Sequence, residues 1–260
     1  MNKKITIAID AMGGENSPDK ILKAVSLFNK KNISKEDYVL HLFGDEKLIK
    51  AKLDDADISN NKIIITHTES VISDEDTPLT AIKNSKNTSM WNCIQSQING
   101  NSDISLSAGN TGVLLVISRM ILKMMNKVNR PALAGLWPNQ KGMNVVLDLG
   151  ANIECSEDNL VDFAELGSAL YKSIFPEDKP IVSLLNIGSE EIKGTEILKN
   201  AFKRLSSLSN ADPIIEKSVK FFELHSIFAP KSNTTFIPFF LGQRADNAGL
   251  SIFCIIFKFN

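Results

Sequence analysis

Ser107-Ala108-Gly109-Asn110-Thr111-Gly112 is the stretch on which the reading of this chain turns. It follows Asp103-Ile104-Ser105-Leu106, an apolar run with the length of a short buried strand. It precedes Val113 to Leu122, which is too long and too rich in Leu and Met for a strand and carries the composition of a helix. The order predicts strand, glycine turn, helix, with Asn110 or Thr111 placed to cap the helix. Glycines let a backbone approach a ligand closely, and unpaired N–H groups at a helix start favour an anion. The helix field alone contributes only ~0.3–1 kcal/mol, so an anion site needs several donors converging. An ordinary strand-to-helix turn also carries glycine. The added weight comes from three other corners of the same kind.

The first is Asp10-Ala11-Met12-Gly13-Gly14, which closes a β-rich run over 4–9. Ser17 then offers an N-cap and Pro18 a first helical residue, ahead of Ile21, Leu22, Val25 and Phe28 at helical spacing. The second is Asp148-Leu149-Gly150-Ala151-Asn152, after a hairpin read as strands 132–137 and 143–147 around Asn139 to Gly142. Ser156 caps the helix that follows it. The third runs from Asn186 to Gly194 and holds Glu190 and Lys193, after a strongly apolar strand at 180–187 and before a helix over 195–207. Strands are also expected at 38–43 and 62–66, a solvated loop with a short helix at 73–88, and a helix from Asn87-Thr88-Ser89-Met90 to Ile98. This alternation predicts an α/β fold in three layers, a mostly parallel sheet with helices on both faces. In such sheets ligands sit beyond the carboxyl ends of the strands. Four small or polar corners on one rim would make one composite site for a polar, anionic ligand.

Composition narrows the partners. The chain has 260 residues, 43% hydrophobic and 23% charged, with a net charge of -1 and a pI near 6.3. That leaves no general basic field for nucleic acid. Cys93, Cys155 and Cys254 have no metal-like spacing and read as reduced, buried thiols, and His41, His67 and His225 suggest neither a triad nor a metal site. No metal or cofactor is expected. The Asp10 corner lacks the third glycine of a dinucleotide fingerprint and the Gly-Lys-Ser/Thr ending of a P-loop. The start of the chain does not read as a signal peptide, and no run of ~18 uncharged apolar residues occurs to suggest a transmembrane helix.

Ile9-Asp10-Ala11-Met12-Gly13-Gly14, Ser107 to Gly112, Arg130-Pro131-Ala132, Leu147 to Asn152, and Leu185-Asn186 to Lys193-Gly194 together resemble the PlsX-type phosphate acyltransferases of bacterial phospholipid synthesis. The order and spacing agree from residue 4 to about 208. The resemblance implies an isopropylmalate dehydrogenase-like α/β fold and transfer of a fatty acyl group from acyl carrier protein (ACP) to inorganic phosphate. It implies a cytoplasmic homodimer in peripheral membrane contact, whose acyl phosphate passes to a membrane glycerol-3-phosphate acyltransferase. Residues 1–210 form the family-like α/β domain in this reading, and 211–260 an atypical tail. The family's later Asp-Gly-Phe-x-Gly-Asn segment does not occur here, and Phe221-Phe222, Phe236 to Phe240 and Ser251 to Phe257 look like a truncated or frameshifted end.

No residue stands out as a nucleophile, which fits direct attack of bound phosphate on the thioester. Such a site must hold and align phosphate and neutralise charge at the thioester oxygen. Lys193 and Asn110 are the candidate catalytic residues, Lys193 as a flexible point charge and Asn110 as an amide donor. Asp10, Gly13, Gly14, Ser107, Gly109, Thr111, Gly112, Asp148, Asn152, Asn186 and Glu190 are the candidate phosphate-binding residues. Asp10 and Asp148 are expected to orient donors, because a bare carboxylate repels phosphate. Three alternatives stay open: a non-catalytic remnant that keeps phosphate or partner binding, a short-chain phosphotransacylase using coenzyme A, and, least favoured, a dehydrogenase of the related fold.

Overall fold

The computed structural model describes residues 4–31, 38–54, 62–139, 142–177, 180–186, 194–208, 214–220, 238–241 and 252–255. In chain order the elements are β1 (Ile5–Asp10), α1 (Asp19–Lys31), β2 (Tyr38–Gly44), α2 (Glu46–Asp54), β3 (Ile63–His67), α3 (Pro78–Asn84), α4 (Ser89–Ile98), β4 (Ile104–Leu106) and α5 (Thr111–Leu122). They continue with β5 (Leu133–Asn139), β6 (Gly142–Val146), α6 (Glu157–Ile174), β7 (Ile181–Asn186), α7 (Glu196–Leu208), β8 (Ile214–Lys220), β9 (Pro238–Leu241) and β10 (Ile252–Ile255). Two compact units result, one mainly of residues 1–125 and 239–258, the other mainly of 126–238.

In the first unit, β3, β2, β1, β4 and β10 lie side by side and parallel. β9 joins β10 antiparallel. Ile7 of the central strand β1 is flanked by Leu40 on one side and Ile104 on the other. Because side chains alternate across a strand, β1 and β2 serve two cores. Ile9, Leu40 and Leu42 pack with Leu22 and Val25 of α1 and Ile49 and Leu53 of α2. Ala8 and Phe43 meet Cys93 of α4 on the other side. Helices therefore cover both faces of this mostly parallel sheet, as the alternation predicts. α5 buries Val113, Leu114, Ile117 and Ile121, spaced for one helical face, against Met90 and Ile94 of α4 and Ala81 of α3. Each such Leu or Ile contributes about 1.5–3 kcal/mol when fully withdrawn from water.

Two local expectations need correction. Ser17 does not cap α1; its hydroxyl turns back and donates to the Gly13 carbonyl at 2.6 Å, and the helix begins one residue after Pro18. Cys155 is only half-buried, whereas Cys93 is buried. Ser156 caps α6 as read, forming a capping box with Asn159, and Thr88 caps α4 by accepting from the Trp91 N–H.

In the second unit β5 and β6 pair antiparallel, Gly135 opposite Val146 and Asn139 opposite Gly142. The middle of that expected turn, 140–141, lies outside the described residues. β7 and β8 pair parallel. For all its apolar composition, β7 leaves Ile181 and Leu185 about half exposed. α6 and α7 are tied by Arg204, which reaches Glu157 at 3.1 Å and Asp158 at 2.5 Å.

Candidate functional site

The register of β1 and β4 brings two of the four corners together. Ile9 lies beside Leu106, so Asp10 and Ser107 leave the sheet next to each other. Asp10 is buried, and its Oδ2 accepts from the Ser107 hydroxyl at 2.7 Å. Its Oδ1 accepts from the Met12 N–H at 3.3 Å. Burial pushes the Asp10 carboxyl above its ordinary value of 3.8, against the pull of the Ser89 and Ser107 hydroxyls and the Met12 and Gly13 N–H groups. The Ser107 oxygen in turn accepts from the Gly109 N–H at 3.1 Å. Asp10 thus fixes a hydroxyl that fixes the glycine turn.

Gly13 and Gly14 are locked against that turn. A Cβ on Gly13 would stand 2.5 Å from Asp10 Oδ2 and 2.9 Å from both Gly109 N and Ser107 Oγ. A Cβ on Gly14 would stand 2.4 Å from the Ala108 carbonyl oxygen, and its φ is +87°. Their want of a side chain lets two loops interlock. Gly112 is different: a Cβ there would meet only Asn110 Oδ1 and Pro78 Cγ, each at an ordinary 3.6 Å. Packing does not require a glycine at the exposed start of α5.

Asn110 caps α5, its Oδ1 accepting from the Val113 N–H at 3.1 Å while its carbonyl accepts from Leu114 at 2.9 Å. The Thr111 and Gly112 N–H groups are then the first-turn donors without an intrahelical acceptor. The other end of the Asn110 amide donates to the carbonyls of Asp76 at 2.9 Å, Asp74 at 3.1 Å and Ser73 at 3.5 Å. Asn110 can reach a ligand only by releasing one of these partners. The 73–76 loop, read from sequence as merely solvated, is therefore part of the corner. It is a self-bonded turn, with Ser73 N–H on Asp76 Oδ2 at 2.8 Å and Glu75 N–H on Ser73 Oγ at 3.2 Å. The Ser73-x-x-Asp76 spacing signals that turn; nothing in it signals the contact with Asn110.

The Asp148 corner belongs to the second unit. Oδ1 of Asp148 accepts from Leu133 N–H at 2.8 Å and Ala151 N–H at 3.3 Å. Oδ2 accepts from Asn152 N–H at 2.7 Å and Asn152 Nδ2 at 3.0 Å. Asn152 Nδ2 also donates to the Pro131 carbonyl at 2.8 Å. Asp148 and Asn152 thus hold each other and the strand opposite. Burial and then Asp148 push the nearby Cys155 thiol up, against the Arg130 charge, so it is not set up as a thiolate. Asn186 packs against Gly194, whose φ is +92° and whose hypothetical Cβ would lie 2.6 Å from Asn186 Oδ1. Glu190 and Lys193 lie outside the described residues. Among the described residues no group of three or more His, Cys, Asp or Glu side chains could hold a metal ion, and no helix is long and apolar enough to cross a membrane.

A family described as "Fatty acid synthesis protein" matches residues 5–214. A phosphate acyltransferase of Pelagibacter ubique (strain HTCC1062) is 50% identical over 212 residues, covering 82% of this chain and 62% of that one. One from Maricaulis maris (strain MCS10) is 39% identical over 197 residues, covering 75% and 56%. The chain therefore spans less than two thirds of the length of these relatives. Among solved structures, a phosphotransacetylase from Streptococcus pyogenes superposes with a TM-score of 0.62 at 14% identity, covering 97% of this chain and 77% of that one. The EutD phosphotransacetylase from Staphylococcus aureus gives 0.59 at 13%, covering 98% and 78%. Those likenesses are of fold. With the family match running through all four corners and 50% identity to a relative over 212 aligned residues, this chain belongs to the fatty acid synthesis protein family.

Proposed function

We propose that the chain transfers a fatty acyl group from ACP to inorganic phosphate. A phosphate oxygen attacks the thioester carbonyl carbon, the new C–O bond replaces the C–S bond, and the carrier leaves as a thiol with the proton phosphate gives up. The observation that carries this reading is the start of α5. Gly112 is exposed and not demanded by packing, and beside it stand the first-turn N–H donors of Thr111 and Gly112. An exposed glycine there admits an anion to those donors. Kinship with phosphate acyltransferases supports phosphate as the acceptor.

In this reading Lys193 supplies the positive charge for phosphate or the developing oxyanion, Asn152 and Asn186 donate amide hydrogens, and Glu190 belongs to the phosphate-binding set. Residues 1–210 carry the chemistry and 211–260 are an atypical tail. The protein acts as a cytoplasmic homodimer at the membrane surface and hands acyl phosphate to a membrane glycerol-3-phosphate acyltransferase. Purified protein incubated with long-chain acyl-ACP and phosphate should yield acyl phosphate, trapped by hydroxylamine; no product at any enzyme concentration would leave the remnant reading in its place. Lys193→Ala should lower the rate at least ~10-fold, about 1.4 kcal/mol in barrier, and unchanged turnover would remove Lys193 from the mechanism. The fold likeness to phosphotransacetylases favours one second reading, a coenzyme A thioester as donor. Acetyl- and butyryl-CoA assayed beside acyl-ACP separate the two.

A further inference from the structure

Between Asp103 and Asp148 the chain carries no carboxylate at all, although acids number 30 of its 260 residues. Arg119, Lys123, Lys127, Arg130 and Lys141 fall in that gap. The first two lie at the C-terminal end of α5. At about 100° per residue, Gly112, Val116 and Arg119 line up on one side of the helix, with Met120 at its margin, and Lys123 follows as the C-cap with a φ of 61°. That side faces away from the buried Val113, Leu114, Ile117 and Ile121. Gly112, Arg119, Met120 and Lys123 are exposed, and Val116 is half-buried. Met120 keeps 45% of its surface in water. Among the described residues neither Arg119 nor Lys123 has an ion-pair partner.

We infer that this side of α5 is the docking track for an acidic carrier protein that brings its thioester on a long flexible arm; the inference rests on the acyl-transfer reading above. The cations engage the carrier's acidic surface, the arm lies over Val116 and Met120, and the thioester arrives at the Gly112 end. The lengths agree. Gly112 to Lys123 spans roughly 16 Å along the helix. A phosphopantetheine arm has the reach of about five extended residues, ~17 Å. Charge complementarity of this kind governs encounter rate and salt dependence. A cation in the last turn of a helix also steadies the helix itself, so the test must separate docking from stability. An anionic membrane is the competing occupant. It is the less favoured one, because two cations with one exposed Met offer little to anchor in a bilayer.

The test uses the full chain with Arg119→Glu and Lys123→Glu combined, and a second variant with both residues changed to Gln. Binding of long-chain acyl-ACP is measured against salt, beside turnover of the same acyl group on pantetheine alone. The expected result is at least a 10-fold loss of acyl-ACP affinity in the Glu variant and a smaller loss in the Gln variant. Both losses should shrink as salt rises, with unchanged melting temperature and unchanged acyl-pantetheine turnover. Unaltered acyl-ACP affinity in a folded Glu variant overturns the inference. So does a selective loss of binding to phosphatidylglycerol vesicles while acyl-ACP binding persists. If wild-type protein binds acyl-ACP through these residues but forms no acyl phosphate from either donor, the docking track stands and the acyl-transfer reading falls.

Discussion

The Asp10 corner and the Asp148 corner are each built around an aspartate at the end of a strand, yet they are different structures. Asp10 is 1% exposed and grips a hydroxyl, and the loops around it touch so closely that two glycines have no room for a methyl group. Asp148 is half-buried and gathers three backbone N–H groups and one side-chain amide from its own loop and the neighbouring strand. Its glycine, Gly150, has a φ of +89°, almost the +87° of Gly14, but open space where a Cβ would go. One corner is held by close packing around a buried carboxyl group, the other by a fan of hydrogen bonds. Two strand-end loops that both open with an aspartate and carry glycine therefore support different architectures.

The glycines give the sharpest way to break that contrast. Gly150→Ala carries only the backbone penalty of a left-handed residue, ~1–2 kcal/mol. Gly14→Ala carries the same penalty and adds a collision with the Ala108 carbonyl worth a further ~1–3 kcal/mol. Urea denaturation of the two variants should show Gly14→Ala clearly the worse; equal losses would mean the loops are not interlocked. Next in size is Asp148→Ala, which strips the acceptor from four donors and should lower stability by about 2–3 kcal/mol. A loss below half a kcal/mol in the same assay would reduce the fan to solvent-replaceable contacts.

A smaller effect lies in pH. The buried Asp10 carboxyl titrates above 3.8, so its contribution to stability is full below that value and fades as pH rises through the folded-state pKa. Asp10→Asn has no such group. The stability of wild type relative to Asp10→Asn should therefore decline as pH climbs from about 4, read from denaturant midpoints across the range; a difference that grows with pH contradicts the buried-carboxyl description. The smallest stability effect belongs to Gly112→Ala. A helical alanine with ordinary contacts should leave stability unchanged or raise it by up to ~1 kcal/mol. Acyl-phosphate formation should fall all the same, because the methyl group covers the α5 donors. Full activity in that stable variant would separate the glycine from ligand access.

Elements marked by local chemistry were legible in the sequence. β1, β4 and α5 follow from the switch between short apolar runs and helical spacing. The Asn110 and Ser156 caps follow from a polar residue set before an apolar face. What the sequence hid depends on contacts that composition does not mark. Ser17 has the composition of a cap, but the Gly13 carbonyl across the loop competes for its hydroxyl and wins. Glycine content alone does not distinguish a backbone that admits an anion from one that also admits another backbone, as Gly13 and Gly14 do. Only the contacts with Asp10, Ser107 and Ala108 separate these. The 73–76 loop is 34 or more residues from Asn110 in sequence, and nothing in its acidic composition points to that neighbour.

The amide of Asn110 has a mechanical consequence. Its oxygen is riveted to the helix and its nitrogen to three carbonyls of a separate segment, so neither can drift without stretching the other's bonds. Anything that stiffens the opening turn of α5 will be felt in Ser73 to Asp76 as slower amide exchange, several side chains away from whatever caused it.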